Sequence, residues 1–366
     1  MGRQSGMRGA WLGALLSVAV IAAPAFAEVT TERPGSIVLF PKVLVAGTID
    51  TLIQLSNISN SLVHVHCFYV DGSLEFPDLP PSQDNQPRWQ EVDFDIWLTK
   101  QQPTHWVAST GRRPAPLANE CTETNSVCND AGLFPGRIPP LADGFTGELK
   151  CIEVDSSGAP ISGNHLKGEV TLVSDGPFTN GDASKYNALA VVGLDSNDAD
   201  NTLCLGGGVT TQCPRGAEYD ACPQVTLLDS FSVGANNPQL GPNSSVSTEL
   251  TIMPCTEDFE RQQPGVVTVQ FQVTNEFEEI FSASTKVTCW SNFNISTIRG
   301  VFDVNTTGTR FLQTRMAPAT NQDSGFVGVV EETHRLSGTP GSRAAFNLFT
   351  IGERSVADVI TLPEGP

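Results

Sequence analysis

Short segments with a period-two apolar pattern recur along this chain, and they narrow its possible folds more than any other feature. "TLIQLS" (51–56), "VHVHCFYV" (63–70), "FDIWL" (94–98), "KGEVTLV" (167–173), "VVTVQFQVT" (266–274) and "RAAFNLFTI" (343–351) all show the pattern, bounded by Gly, Pro, Asn, Asp or Ser. A period of two puts successive side chains on opposite faces of a strand, whereas a surface helix needs a period of 3.6. No convincing amphipathic helix follows the N-terminal region, so the expected fold class is all-β.

The N-terminus carries Arg3 and Arg8, an apolar run from Trp11 to Ala23, and Ala25 and Ala27 as a small-x-small pair. That order is the pattern of a secretory signal peptide, with cleavage expected after Ala27. The run is shorter than the ~20 residues a membrane span requires, and no transmembrane or covalent anchor is expected. The predicted location is therefore outside the cytoplasm, in the periplasm or the extracellular space, and the compact signal suggests a bacterial source. All nine cysteines follow the signal, and an exported chain meets oxidising conditions, which makes disulfides the default reading. An odd number leaves at least one thiol free or paired with another chain, and the absence of any C-x-x-C argues against a thioredoxin-type site or a zinc ribbon.

The formal net charge is −19 and becomes more negative by two when residues 1–27, with two arginines and no acid, are removed. Such a surface repels phosphate backbones and anionic headgroups, which excludes nucleic acid as an expected partner and disfavours membrane binding.

Six landmarks recur in the same order in the two halves. "SIVLFPKV" (36–43) resembles "ELTIMPCT" (249–256), and "IQLSN", ending at Asn57, matches "FQVTN", ending at Asn275. Cys67-Phe68 matches Cys289-Trp290, and "FDI" at 94 matches "FNI" at 293. "GFTGEL" at 144 is followed by "YNALAVVG" at 186, as "GFVGVV" at 325 is by "FNLFTIG" at 346. The pattern predicts a tandem duplication: a signal peptide (1–27), a first domain with loop insertions (28–200), a Cys/Gly-rich linker (201–223) and a second domain (224–366). Short alternating strands with a proline-closed first strand and a hairpin into a Cys-aromatic strand predict immunoglobulin-like β-sandwiches. At these residues the chain resembles secreted bacterial proteins with tandem Ig-like domains. That resemblance implies a fold in the cell envelope or medium and no particular activity. The expected disulfides are Cys67 with Cys151 in the first domain, Cys255 with Cys289 in the second, Cys121 with Cys128 in an inserted loop, and two of Cys204, Cys213 and Cys222 in the linker.

Candidate chemistry is sparse. His64, His66 and Cys67 are near neighbours, but in a strand Cys67 points away from both histidines, which leaves a His64/His66 pair. Two imidazoles at i and i+2 can hold zinc or copper if a third ligand arrives from elsewhere, with His105, His165, His334 or Asp71 as candidates. Aligning Cys67 on Cys289 sets His64 and His66 opposite Lys286 and Thr288, which predicts an exposed face for the pair. Asp195, Asn197, Asp198 and Asp200 offer the hard oxygen ligands of calcium, although Ala199 breaks the EF-hand pattern. Glu276 and Glu278 of "TNEFEEIF" could suggest a glycosidase pair, but both belong to one local turn. No nucleophile elbow, P-loop, H-E-x-x-H or dinucleotide motif occurs. The expectation is a non-catalytic binding or structural protein without a required cofactor, engaging a protein or glycan of the cell envelope through loops near Trp89 and Trp97. Trp106 is expected in the core. A zinc- or copper-binding protein and a carbohydrate-active enzyme are the alternatives.

Overall fold

A computed structural model describes residues 29–77, 79, 85–112, 137–174, 182–194, 200–298, 300–339 and 341–363. The signal-peptide segment, the Cys121/Cys128 pair and the calcium candidates Asp195, Asn197 and Asp198 lie outside the described residues.

In the first half the strands are β1 (Ile37–Val45), β2 (Ile49–Asn57), β3 (Val63–Asp71), β4 (Gln90–Leu98), β5 (Pro103–Val107), β6 (Phe145–Val154), β7 (Leu166–Ser174), β8 (Asp182–Asn187), β9 (Leu189–Val191) and β10 (Thr202–Leu205). The second half adds β11 (Pro223–Phe231), β12 (Ser244–Pro254), β13 (Glu257–Asp258), β14 (Val266–Asn275), β15 (Ile280–Thr288), β16 (Ser291–Asn294), β17 (Phe311–Pro318), β18 (Phe326–Leu336), β19 (Ser342–Asn347), β20 (Phe349–Glu353) and β21 (Asp358–Thr361). They form five sheets, in the orders β4-β3-β6-β1-β9, β5-β2-β7-β8, β15-β14-β17-β11-β20, β16-β12-β18-β19 and β10-β21-β13.

The all-β expectation holds, and the tandem immunoglobulin-like sandwiches do not: the sheets are arranged as a five-bladed β-propeller. The blades have three to five strands, and none is a run of consecutive strands. Two further findings run against the Ig-like reading. An antibody-type disulfide ties one sheet to the other, whereas Cys67 and Cys151 sit directly opposite each other on β3 and β6 of a single sheet, with a Cα–Cα distance of 4.1 Å. The fifth sheet draws β10 from the Cys/Gly-rich stretch, β13 from the second half and β21 from the end of the chain.

The expected internal repeat fails for a topological reason. After Asn57 the chain leaves β2 for β3, which lies in a different sheet, but after Asn275 it turns back in a hairpin and β15 pairs with β14 along its length. Cys67 is a mid-strand residue, while Cys289 occupies the bend between β15 and β16 at φ +64°. The two cysteines are therefore not equivalent positions, and no property of the His64/His66 face follows from Lys286 and Thr288.

One hydrophobic cluster runs across the sequence halves, joining Phe40, Val65, Tyr69 and Leu172 to Leu205, Met253, Trp290 and Val329. A second, containing Leu228, Phe271, Leu312 and Val330, fills the space between the β14/β17/β11 sheet and the β12/β18 sheet. Ionic pins cross the first cluster. Pro41 has no N–H to give to a ladder, and the β1–β6 register slips between Phe40 and Val43, so the strand bulges there. The freed Pro41 carbonyl accepts the Trp290 indole N–H at 2.6 Å. The fully buried Lys42 ammonium reaches Glu331 at 2.8 Å and Glu249 at 3.2 Å on the opposite half. Trp106 is core, as expected, and its indole donates to the Tyr69 hydroxyl.

Candidate functional site

The histidine pair lies on β3 with the alternation that the sequence predicts: Val63, Val65 and Cys67 are buried, and His64 and His66 are half-buried on the other face. Phe68, on the histidine face, is nevertheless fully buried, because Phe259 stacks on it at 4.4 Å. The neighbouring strand β4 sets Trp97 opposite His64, Asp95 opposite His66 and Asp93 opposite Phe68. The His64 Nδ1 bonds the Asp155 carbonyl oxygen at 2.8 Å, and Nε2 bonds Asp95 at 2.8 Å. Both partners are acceptors, so the ring donates from both nitrogens and is a cation. Burial opposes that charge, but Asp95 and the Asp155 carbonyl hold the pKa above its ordinary value. Trp97 lies flat on the ring at a centroid distance of 3.8 Å. His66 bonds a different carboxylate, Asp93, at 3.2 Å.

The two histidines thus turn to separate aspartates, and the expected third ligands are elsewhere. His165 bonds Glu153, which is opposite Val65 and so projects from the other face of the sheet. His105 is on β5 of another sheet, and His334 is on β18. Among the described residues, three possible ligand atoms converge within 4.8 Å only at Cys222, Cys255 and Asp358, and there the two sulfurs are bonded to each other. Asp200 accepts a backbone bond from Thr202.

That disulfide corrects the expected Cys255–Cys289 pair. Cys255 is bridged to Cys222 and Cys204 to Cys213, and among the described residues Cys289 is the free thiol. Cys289 is buried beside Glu257, Glu148 and Lys150. Burial, followed by the Glu257 carboxylate, pushes its pKa up, so it is a poor nucleophile. Nearby, burial followed by Asp93 and Glu257 pushes Glu91 up to about 7. Trp89, expected at a contact surface, instead packs against the core and donates its indole N–H to Glu257 at 3.0 Å. Trp97 remains 36% exposed.

A concavity lies in a different region. A cleft of about 510 Å³ opens where the second cluster ends between its two sheets. Phe231 closes β11 and is paired with Phe311, which opens β17, their rings 4.6 Å apart. Phe346 of β19 lies opposite Val330, and Glu332, two residues further along β18, shares that face. Glu276 reaches the rim from the hairpin turn after β14. This turn is the one expected from "TNEFEEIF", with Glu278 in the left-handed region at φ +64°.

The electrostatics of the cleft are one-sided. Asp229, Glu276 and Glu332 line it, and among the described residues no Lys or Arg does. Asn237 donates its amide to Nδ1 of His334 at 3.0 Å, which leaves the ring proton on Nε2, donated to Glu332 at 2.5 Å. That imidazole is neutral, so the Glu332 charge is not cancelled. Ser230 lies opposite Leu312 and shares its core-facing side, so its side chain points away from the face that carries Phe231 and Phe311. Its hydroxyl is buried, with the residue 5% exposed, and has no hydrogen-bond partner among the described residues. Thr226 and Thr314 share that property but are not among the lining residues.

No protein-family model matches the chain, and no curated protein matches it. Function must therefore be argued from this geometry alone.

Sequence reasoning missed the cleft because its walls come from five strands and a turn spread over more than a hundred positions. The local signals were Phe231 and Phe311 at strand ends, where an aromatic side chain is not required by the alternation, but nothing in one sequence pairs them.

Proposed function

We propose that this is an exported, non-catalytic binding protein that takes its ligand in the cleft between the β11/β17 edge and β18/β19. The observation that carries the reading is the aromatic wall of the cleft: Phe311 and Phe346 stay 43% and 38% exposed there, beside Phe231 and the carboxylates Asp229, Glu276 and Glu332. A mostly apolar concavity of several hundred Å³ with a few polar groups is the usual form of a small-molecule site.

Export is supported by the Arg-flanked apolar N-terminal run, three disulfides and the lack of any helix among the described residues that is long and apolar enough to cross a membrane. The non-catalytic reading rests on His64 and His66, each engaged with its own aspartate, and on the raised pKa of Cys289. Trp97, exposed beside His64, remains a candidate contact with a protein or glycan of the cell envelope.

The test is a ligand-observed NMR screen of residues 28–366 against amines, carboxylates, peptides and oligosaccharides, repeated on Phe311→Ala. Hits that disappear in the variant support the reading. An empty screen, or hits indifferent to Phe311, would remove it. N-terminal sequencing of secreted material should begin at Glu28.

A further inference from the structure

The same cleft, read as a ligand site, also restricts the chemistry of its occupant. We infer that the occupant is a small organic amine: a protonated nitrogen attached to an apolar body. The inference rests on the preceding reading that this cleft binds a ligand.

Two features of the cleft argue for that class. The first is charge: carboxylates at Asp229, Glu276 and Glu332 with no lining cation favour a positive guest and repel an anion. Their partners do not neutralise them. Glu276 accepts only a backbone N–H, from Arg310 at 3.3 Å, and the ring that bonds Glu332 is the neutral tautomer.

The second feature is the aromatic wall. Phe231, Phe311 and Phe346 present ring faces and edges to the same space, the latter two 43% and 38% exposed. Such faces attract ammonium groups and accommodate an apolar body, and a fully hydrated polar guest would gain little from them. An ammonium carries three donors, and the lining carboxylates Glu276 and Glu332 supply acceptors for it. The cleft volume suits one molecule of this kind better than a polymer chain.

The experiment titrates residues 28–366 with 2-phenylethylamine and, separately, with 3-phenylpropionate, an anion of similar size and apolar content. Binding is followed by calorimetry and by chemical-shift changes, on the wild type and on Glu276→Gln, Glu332→Gln and Phe311→Ala. The expected result is that the amine binds at least about tenfold more tightly than the acid. Each glutamate substitution should weaken the amine about three- to tenfold and leave the acid unchanged or improved. Added salt should weaken amine binding. Equal affinity for both probes, lost in Phe311→Ala, would overturn the amine inference and leave the cleft a ligand site. Binding of neither probe, together with an empty broader screen, would overturn both readings. Glu276 lies in an exposed turn, so its variant keeps the test sound if the Glu332 variant does not fold.

Discussion

Replacing Lys150 by methionine should destabilise the protein far more than replacing its neighbour Glu148 by glutamine, although both remove one member of the same buried network. The Lys150 ammonium touches Glu148 and Glu257, and all three residues are at most 2% exposed. Two carboxylates around one ammonium leave one excess negative charge in the interior. Glu148 has one oxygen with no partner, and burial, opposed by Lys150, raises its pKa well above the usual range. Glu148 therefore keeps its proton, and the network is neutral. Burial alone would lower Lys150, but the flanking carboxylates raise it, which keeps the ammonium charged. Lys150→Met strands the Glu257 carboxylate with only the Trp89 N–H, a loss of about 3–5 kcal/mol by analogy with other broken buried pairs. Glu148→Gln exchanges one neutral group for another and should cost less than about 1 kcal/mol. With an unfolding entropy of about 0.7 kcal/mol/K for a chain of this length, Tm should fall by about 4–7 °C for Lys150→Met and by less than about 2 °C for Glu148→Gln. Thermal unfolding followed by circular dichroism at pH 6 reads both. The pH dependence gives a second check. A carboxyl whose folded pKa is raised contributes stability that is complete below its unfolded value, near 4.5, and is lost as pH rises through the folded value. The difference between Glu148→Gln and wild type should therefore move in favour of the variant as pH increases. A Lys150→Met variant as stable as wild type, or a Glu148→Gln variant that loses more than it, would refute the charge assignment.

Non-reducing peptide mapping should find Cys222 joined to Cys255 and Cys289 alkylated only after unfolding; a Cys255–Cys289 peptide would contradict the structure. Closing a 33-residue span, the Cys222–Cys255 bridge should contribute about 4 kcal/mol, visible as a lowered unfolding midpoint in the Cys222→Ser/Cys255→Ser double variant. The His64 ring should titrate above the ordinary imidazole value of 6.5 by NMR and fall back in Asp95→Asn. Its stabilising contribution should be complete below that value and disappear as pH rises through the folded pKa. Glu91→Gln should remove a loss of stability that wild type shows between about pH 4.5 and 7, and an unchanged pH profile would argue against a shifted Glu91.

The strands themselves were legible in the sequence because alternation is a local property: "VHVHCFYV" predicts which of its residues face the core, and β3 buries Val63, Val65 and Cys67 as that pattern requires. Pairing between strands is not local, and there the sequence misled. "IQLSN" and "FQVTN" are alike as strings, yet one strand ends in a crossing to another sheet and the other in a hairpin. The cause is visible around the turns. Asn275 accepts backbone bonds from Phe277 and Glu279 and gives its amide to Thr307, which holds a tight reversal. Asn57 instead ties its amide to the carbonyls of Ser61, Leu98 and Thr99 and guides the chain across toward β3. The same residue type thus serves opposite topologies according to which carbonyls lie within its reach.

That limit also explains where the candidate site could and could not be seen. His64 and His66 attracted a metal reading because they are adjacent in sequence, but the partners that decide their chemistry, Asp95, Asp93 and the Asp155 carbonyl, come from β4 and from the end of β6. Once both nitrogens of His64 face acceptors, the ring is a cation and an aromatic stacking partner for Trp97 rather than a ligand with a free lone pair. The cleft reverses the situation: of its lining residues only Glu276 stood out in sequence, and then for a different chemistry, because the character of the cleft arises where strand ends and a hairpin meet. Phe231 and Phe311 lie beside each other only because β11 and β17 pair in the register that also brings Ser230 opposite Leu312. A one-residue slip of that ladder would turn the hydroxyl outward and the phenylalanines inward. The register of β11 on β17 is therefore the structural quantity on which the proposed binding site depends. A substitution that shifts it, such as Leu228→Asp, should abolish amine binding together with cooperative unfolding, whereas Phe311→Ala should remove binding and leave the unfolding transition cooperative.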